Sequence, residues 1–381
     1  MRIALYTIFR CTNYGAVLQA YALSRVLRRI RGEDAVDVIN HRMDPRDNHL
    51  LGKITNPNTP WFQRWRNRRK FLSRYHGVDL FEERRRKTIQ LIEREIRPTR
   101  KIYLCPEEFS SLPSYDTVVV GSDQIWNPHL NNDFGCNQYL TSHFPDSQDR
   151  VAYAASFGVS DFPGDSDREY KKALARFRAI TVREESGALI CEKLIGSRPP
   201  VVLDPTMLFA AEDWLNAVGK PARADSGYLA AYWVRGMTQA DVDALARIAE
   251  KKKLSCRLMS AGPLPKLHFP ENVDPFIDAD PFDFVRTVAG SEGVVTDSFH
   301  GLQFAVVFSR PVLPLCESCS ATAKSSRLVD FCTRYLNADI CADIEEFRKG
   351  EKFGLSSEFD LGKLASNRAE SLSLLKEIVG I

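Results

Sequence analysis

Between Gly293 and Leu315 the chain reads GVVTDSFHGLQFAVVFSRPVLPL, and no other stretch limits its fold as strongly. An apolar run (Val294, Val295, Thr296) stops at Asp297, Ser298, Phe299, His300 and Gly301. An apolar segment of helical length follows, Leu302 to Phe308, then Ser309, Arg310, Pro311 and a second short apolar run, Val312 to Leu315. The pattern reads strand, turn, helix, strand: one βαβ unit. Its polar cluster falls past the carboxyl end of a strand, where open α/β sheets hold ligands. The first helical turn offers free N–H groups and a positive dipole end, both suited to phosphate or carboxylate. His300 stands there, either facing such a ligand or packed and capping.

The same grammar recurs along the chain. Ile3–Ile8 reads as a buried strand, followed by a polar loop and an amphipathic helix over Ala16–Ile30, with Asn13 as its N-cap candidate and Val36–Asn40 as the next strand. Asp116–Gly121 ends in Ser122, Asp123, Gln124, Ile125 and Trp126; Val151–Ala155 ends in Ser156, Phe157 and Gly158. A charged helix over Arg168–Arg178 precedes the strand Ala179–Val182, which ends in Arg183 and Glu184, and Val201–Leu203 ends in Asp204 and Pro205. After a polar linker the alternation restarts, with strands at Tyr228–Val234 and Arg257–Ser260 and helices at Gln239–Lys252 and Pro281–Ala289. Helices at Arg327–Leu336 and Leu364–Val379 follow the opening stretch. The expected fold class is α/β: two Rossmann-like domains with mostly parallel sheets, facing across a cleft as in glycosyltransferases of the GT-B type. The first spans residues 1–205 with a basic helical insertion at about 44–110, and the second spans 206–381 with a C-terminal helix.

A net charge of +3 is too small to argue for nucleic acid. The opening MRIALYTIFR is too short and too quickly polar for a signal peptide, and no apolar run approaches the roughly 20 residues of a membrane helix. The expectation is a cytoplasmic protein with free thiols, since its nine cysteines show no repeating spacing and Cys316–Cys319 is the sole close pair. No metal-ligand cluster is visible. Two basic runs stand out, Trp61–Lys70 (WFQRWRNRRK) and Arg84–Lys87. Either they form a landing surface for an anionic glycan or the inner face of a membrane, or they are a solvated helical face with arginine stems packed on aromatics.

Six short motifs occur in order: Asn13–Tyr21, Gly121–Asn127, Ala155–Gly158, Val182–Glu184, Leu203–Thr206 and Thr296–Gly301. Together they resemble the polysaccharide pyruvyl transferase family. The resemblance implies transfer of a pyruvyl group from phosphoenolpyruvate, as donor substrate and with no cofactor, onto a hydroxyl pair of a cell-surface glycan or its lipid-linked precursor. Well-characterised members of the family carry Arg-Leu-His before the last glycine, the arginine helping to hold the donor; the positions here are Ser298, Phe299 and His300, a form that resembles a subgroup of bacterial relatives.

Ketal formation requires a proton for the vinyl carbon, a base for the attacking hydroxyl and cationic or N–H groups for a polyanionic donor. His300 and Asp123 are the acid/base candidates, with helix capping as the other role open to Asp123. Arg183, Arg327, Lys324, Ser298 and Gly301 are the donor-binding candidates; Arg183 has an ion pair with Glu184 or Glu185 as its alternative. Asn13, Tyr14, Gln124 and Trp126 are placed at the acceptor. Competing expectations are a glycosyltransferase using a nucleotide sugar in the same cleft and a non-catalytic glycan-binding relative.

Overall fold

The computed structural model describes residues 1–41, 60–129, 138–164, 167–221, 227–317, 326–336 and 341–380. Strands β1 (Ile3–Tyr6), β2 (Val36–Val38), β3 (Thr117–Val120), β4 (Arg150–Ala155) and β5 (Ala179–Val182) form one sheet in the order β2-β1-β3-β4-β5. Strands β6 (Tyr228–Trp233), β7 (Ser255–Ser260), β8 (Val273–Pro275), β9 (Gly293–Thr296), β10 (Val312–Cys316) and β11 (Ala342–Asp343) form a second, β11-β10-β9-β6-β7-β8. Every ladder is parallel. Counted from its own first strand, the second order is the 3-2-1-4-5-6 of dinucleotide-binding folds, and the first is the flavodoxin-like 2-1-3-4-5. Each order reverses beside its first strand, so each half opens a crevice there, beyond β1 and β3 in one and β6 and β9 in the other.

The strand residues explain this layering. Parallel sheets are covered on both faces, so their strands carry continuous apolar runs rather than alternation; IALY, TVVV, RVAYAA, YLAAYW and GVVT are buried at every position. The architecture is the two-Rossmann, GT-B-like one. Val201–Leu203 pairs only through a single bridge, Val182 to Val201, and the short edge strands β8 and β11 lie outside the sequence expectation.

The halves are joined through side chains that cross the boundary. Helix α1 (Tyr14–Arg31) brings Tyr14 into the second half, where its ring stacks on Phe284 at 5.2 Å and its hydroxyl donates to the Ala279 carbonyl at 2.9 Å. Of the two basic segments, α2 (Trp61–Arg74) and α3 (Val78–Leu91), the second turns inward. Arg84 is buried over the Tyr14 ring at 4.3 Å; it donates to the carbonyls of Ser260 (2.6 Å), Ala261 (3.0 Å) and Thr12. Lys87 meets Asp278 at 2.6 Å. Within the Arg84–Lys87 run, Arg84 and Lys87 are thus packed against the second half, while Arg86 stays exposed. Residues 44–59 of the expected insertion lie outside the described residues.

A short helix, α4 (Pro205–Leu208), sits at the junction. Helix α5 (Phe299–Val307) starts the segment after β9, and α6 (Ser326–Tyr335) and α7 (Leu361–Ile378) follow. The last of these returns to the first half: Ser371 Oγ accepts from the Leu203 N–H at 3.0 Å, Arg178 donates to the Ile378 carbonyl at 2.9 Å, and Arg31 donates to Val379 and Gly380. Among the described residues no helix is long and apolar enough to cross a membrane. The described cysteines are free thiols, and Cys319 lies outside the described residues.

Under the first sheet His41 is enclosed, with Nδ1 2.9 Å from the Ile39 carbonyl and Nε2 2.7 Å from the Tyr139 hydroxyl. That pairing suits a neutral ring, and burial pushes its pKa down to about 4. The unfolded chain then binds the extra proton below about 6.5, so stability is lost as pH falls from there through 4. A midpoint melting temperature that declines across this window, and declines less in His41→Asn, is the expected result.

Candidate functional site

The loops at the carboxyl ends of the two sheets meet, and His300 stands where they touch. It is the second residue of α5, whose N-cap is Ser298: the Ser298 Oγ accepts from the Gly301 N–H at 3.3 Å. Asp297, the residue before, accepts from the N–H groups of Val234 (2.7 Å) and Arg235 (3.0 Å), tying this turn to the loop after β6. All nine residues of α5 are buried, so the helix cannot shift without disturbing the core. From the first half, Gly15 lies flat against the imidazole. A Cβ at Gly15 would fall 2.1 Å from His300 Nδ1, so glycine is required for the two halves to close here. Gly15→Val is expected to lower stability by about 1–3 kcal/mol through overpacking, read as a lower melting temperature.

Across the ring, His300 Nε2 is 3.6 Å from Asp204 Oδ2, within ion-pair range but too long for a hydrogen bond. Asp204 caps α4: its Oδ1 accepts from the Thr206 N–H (3.0 Å) and hydroxyl (2.8 Å). Its Oδ2 takes Arg183 Nη1 at 2.8 Å and the Ser122 hydroxyl at 3.3 Å. Burial alone would raise this carboxyl; the neighbouring His300 and Arg183 outweigh it and hold the group well below the usual carboxylate range.

Arg183 is the hub. Besides Asp204 it meets Asp123 Oδ1 at 3.3 Å and Glu184 Oε2 at 3.6 Å, and its guanidinium lies over the Phe299 ring at 4.8 Å. With its side chain 1% exposed and three carboxylates around it, Arg183 is spent on its neighbours rather than presented to a donor. The ion-pair alternative holds for Glu184. Asp123 is placed by a left-handed backbone (φ 70°) directly after β3, and it faces Arg183 instead of capping a helix. Its turn needs Gly121, where a Cβ would meet the Tyr153 carbonyl oxygen at 2.0 Å.

Arg327 reaches the same cluster from α6. Its guanidinium lies 5.8 Å from the Phe299 ring, and with the Gln124 amide oxygen turned toward it the two Nη atoms donate at 2.9 and 3.1 Å. Its Nε is buried with no hydrogen-bond partner among the described residues. Two guanidinium groups thus lie near the Phe299 ring, contacts that the negative face of an aromatic ring favours. The remaining motif, Ala155–Gly158, serves this cluster as well: the Phe157 N–H donates to Glu184 Oε1 at 3.2 Å, and Gly158 packs against Gln124.

The structure corrects several expectations. Tyr14 is fully buried, its hydroxyl held by Ala279, and burial pushes its pKa up to about 12. Trp126 is fully buried, its indole N–H donating to the Tyr139 carbonyl at 3.4 Å. Neither side chain is exposed: the Tyr14 ring is enclosed by Arg84, Tyr232 and Phe284, and the Trp126 ring by Phe157 and Phe177. Asn13 caps α1, accepting from the N–H groups of Gly15 (3.0 Å) and Ala16 (3.4 Å). The Gly301 N–H is taken by Ser298, so it is not free for a donor anion, whereas the Ser298 hydroxyl only accepts in that cap and keeps its own O–H to donate. Lys324 lies outside the described residues. Asp204 was missed as a site residue; its signal was an Asp-Pro pair closing an apolar run, the same strand-end position that singled out Arg183.

Two recesses that share Glu185, Val202, Leu203, Arg334 and Tyr335 lie beside the cluster. The inner one, of about 30 Å³, is lined by Arg183, Asp204, Phe299, Gln303 and Arg327. The outer one, of about 430 Å³, opens between the halves against Arg198, Arg334, Tyr335, Asn367 and Glu370. Arg334 lines both, a second cation contributed by α6.

No curated protein matches the chain significantly. Among solved structures, S. aureus MnaA in complex with UDP aligns over 99% of this chain and 97% of its own at 12% identity, with a TM-score of 0.52. The UDP-GlcNAc 2-epimerase from Neisseria meningitidis, bound to UDP-GlcNAc, aligns over 99% and 100% at 12% identity with a TM-score of 0.48. The enzyme of that name from Methanocaldococcus jannaschii aligns over 98% and 100% at 12% identity with a TM-score of 0.49. At such identity the MnaA likeness concerns the fold alone. The polysaccharide pyruvyl transferase family model matches residues 13–315, from the cap of α1 to β10, and so takes in His300, Asp204, Arg183 and every ordered motif around them. The chain belongs to the polysaccharide pyruvyl transferase family.

Proposed function

We propose that the chain transfers the pyruvyl group of phosphoenolpyruvate to a pair of hydroxyls on a cell-surface polysaccharide or its lipid-linked precursor. The observation that carries this reading is His300, held at a helix start between the two halves with Asp204 behind its ring, in a chain of this family. Protonation of the donor's methylene carbon leaves its neighbouring carbon electron-deficient. One sugar hydroxyl oxygen bonds there and gives up its proton, the C–O bond to phosphate breaks with the electron pair leaving on phosphate, and the second hydroxyl oxygen closes the ketal as its proton passes to the departing phosphate. His300 suits the proton movements, giving one to carbon and taking one from oxygen, while the Asp204 carboxylate steadies the imidazolium between them.

For the donor's anionic groups the cations that remain available are Arg327, through its unpartnered Nε, and Arg334 at the recess mouth. They replace the family arginine absent at Ser298. Arg183, whose Nη atoms are held by Asp204 and Asp123, orders the cluster instead.

The test is thermal unfolding of the full chain with phosphoenolpyruvate or with UDP-GlcNAc. At a hundredfold excess over Kd a true ligand adds about 2.7 kcal/mol. Stabilisation by phosphoenolpyruvate, with phosphate released only when a glycan acceptor is present, supports the proposal. Stabilisation by the sugar nucleotide alone defeats it in favour of sugar-nucleotide chemistry.

A further inference from the structure

Helix α2 takes no part in the site. Six of its fourteen residues are basic (Arg64, Arg66, Arg68, Arg69, Lys70, Arg74), none is acidic, and only Phe71 is buried. Trp61 is 74% exposed, Phe62 53%, Trp65 57% and Leu72 40%. At about 100° per residue these four fall within roughly 100° of arc, turned away from Phe71. Arg68 borders that arc on one side and Arg66 and Lys70 on the other; Arg69 lies within it, its guanidinium 4.8 Å from the Trp65 ring. Among the described residues Arg68 alone of the six meets a carboxylate, Asp79 at 3.1 Å. The helix is anchored at its far end, where the Lys266 N–H donates to the Arg74 carbonyl at 2.9 Å and the His76 N–H to the Leu264 carbonyl at 2.8 Å.

An apolar stripe with tryptophans, flanked on both sides by arginine and facing water, is the composition of a helix that lies in a bilayer interface. We propose that α2 docks the protein on an anionic lipid bilayer, with Trp61, Phe62, Trp65 and Leu72 in the headgroup region and the flanking cations on lipid phosphates. Charge selects this occupant. A second copy would bring six more positive charges to the same face, and a soluble polyanion would engage the arginines while leaving the rings in water. The inference is independent of the reaction at His300.

The test is co-sedimentation of the full chain with phosphatidylcholine vesicles, with and without about one third phosphatidylglycerol. Binding is expected to be at least about tenfold tighter to the anionic vesicles, to weaken with added salt and to shift tryptophan emission to the blue. The double variants Trp61→Ser with Trp65→Ser, and Arg66→Glu with Lys70→Glu, should each lose about tenfold or more in partitioning, with the melting temperature unchanged because these side chains are exposed. Equal binding to both vesicle types, absence of binding to either, or full binding by the tryptophan variant overturns the proposal. So does a concentration-dependent dimer that the tryptophan variant abolishes.

Discussion

Replacing His300 with glutamine is expected to cut the rate of pyruvyl transfer by about 10²–10⁴-fold, the usual weight of a positioned acid/base group. The loss should fall on kcat. Glutamine keeps a polar side chain of similar reach beside Asp204, so the fold and the stabilisation by phosphoenolpyruvate should survive. Steady-state kinetics on a glycan acceptor, run beside donor-dependent melting, separate the two effects. Undiminished turnover in His300→Gln would remove His300 from the chemistry and leave it as a packing residue against Gly15. Loss of donor-dependent stabilisation together with turnover would instead make it a binding group.

The second large effect belongs to Asp204→Ala, expected to lower stability by about 3–5 kcal/mol, the range seen when one partner of a buried ion pair is removed. Arg183 would lose its shortest carboxylate contact, and Thr206 its cap. Urea unfolding of the full chain measures this. Asp204→Asn should cost less, because the amide oxygen can still cap α4 while the charge is gone. The pH dependence carries a sign of its own. A carboxylate held below its unfolded value supports the fold above about pH 4 and loses that contribution as the pH falls further. The acid limb of the wild-type stability curve should therefore be steeper than that of either variant. Equal acid limbs would mean that Asp204 is no more strongly held in the folded protein than in the unfolded chain.

How much of this could be read in advance depended on how far apart the partners lie in sequence. The strands were legible because parallel pairing demands runs such as TVVV and GVVT, and the start of α1 was marked by Asn13. Local signals such as these need only a few neighbouring residues. Asp204 finds its partners at Ser122, Arg183 and His300, which only the two strand orders bring together. The two basic runs show the same limit more sharply. Both are arginine-rich segments of a helix, yet Arg84 is buried over Tyr14 while Trp61 and Trp65 face water. What separates them is whether another element presents a ring and free carbonyls, and that is a property of tertiary placement. Tyr14 and Trp126 were misplaced for a related reason: standing next to a strand-end loop does not say which way a ring points.

The return of α7 to the first half bears on how such a molecule can move. One covalent passage between two bodies permits swivelling in several directions. Here the backbone crosses the boundary twice, once near Leu203–Pro205 and again before α7, whose far end is fastened by Arg178 and Arg31. Two passages define a line, and rotation about that line is the displacement that strains neither. Any opening between Arg334 and Tyr335 on one side and Arg198 to Leu203 on the other is therefore expected to run about that line rather than across it.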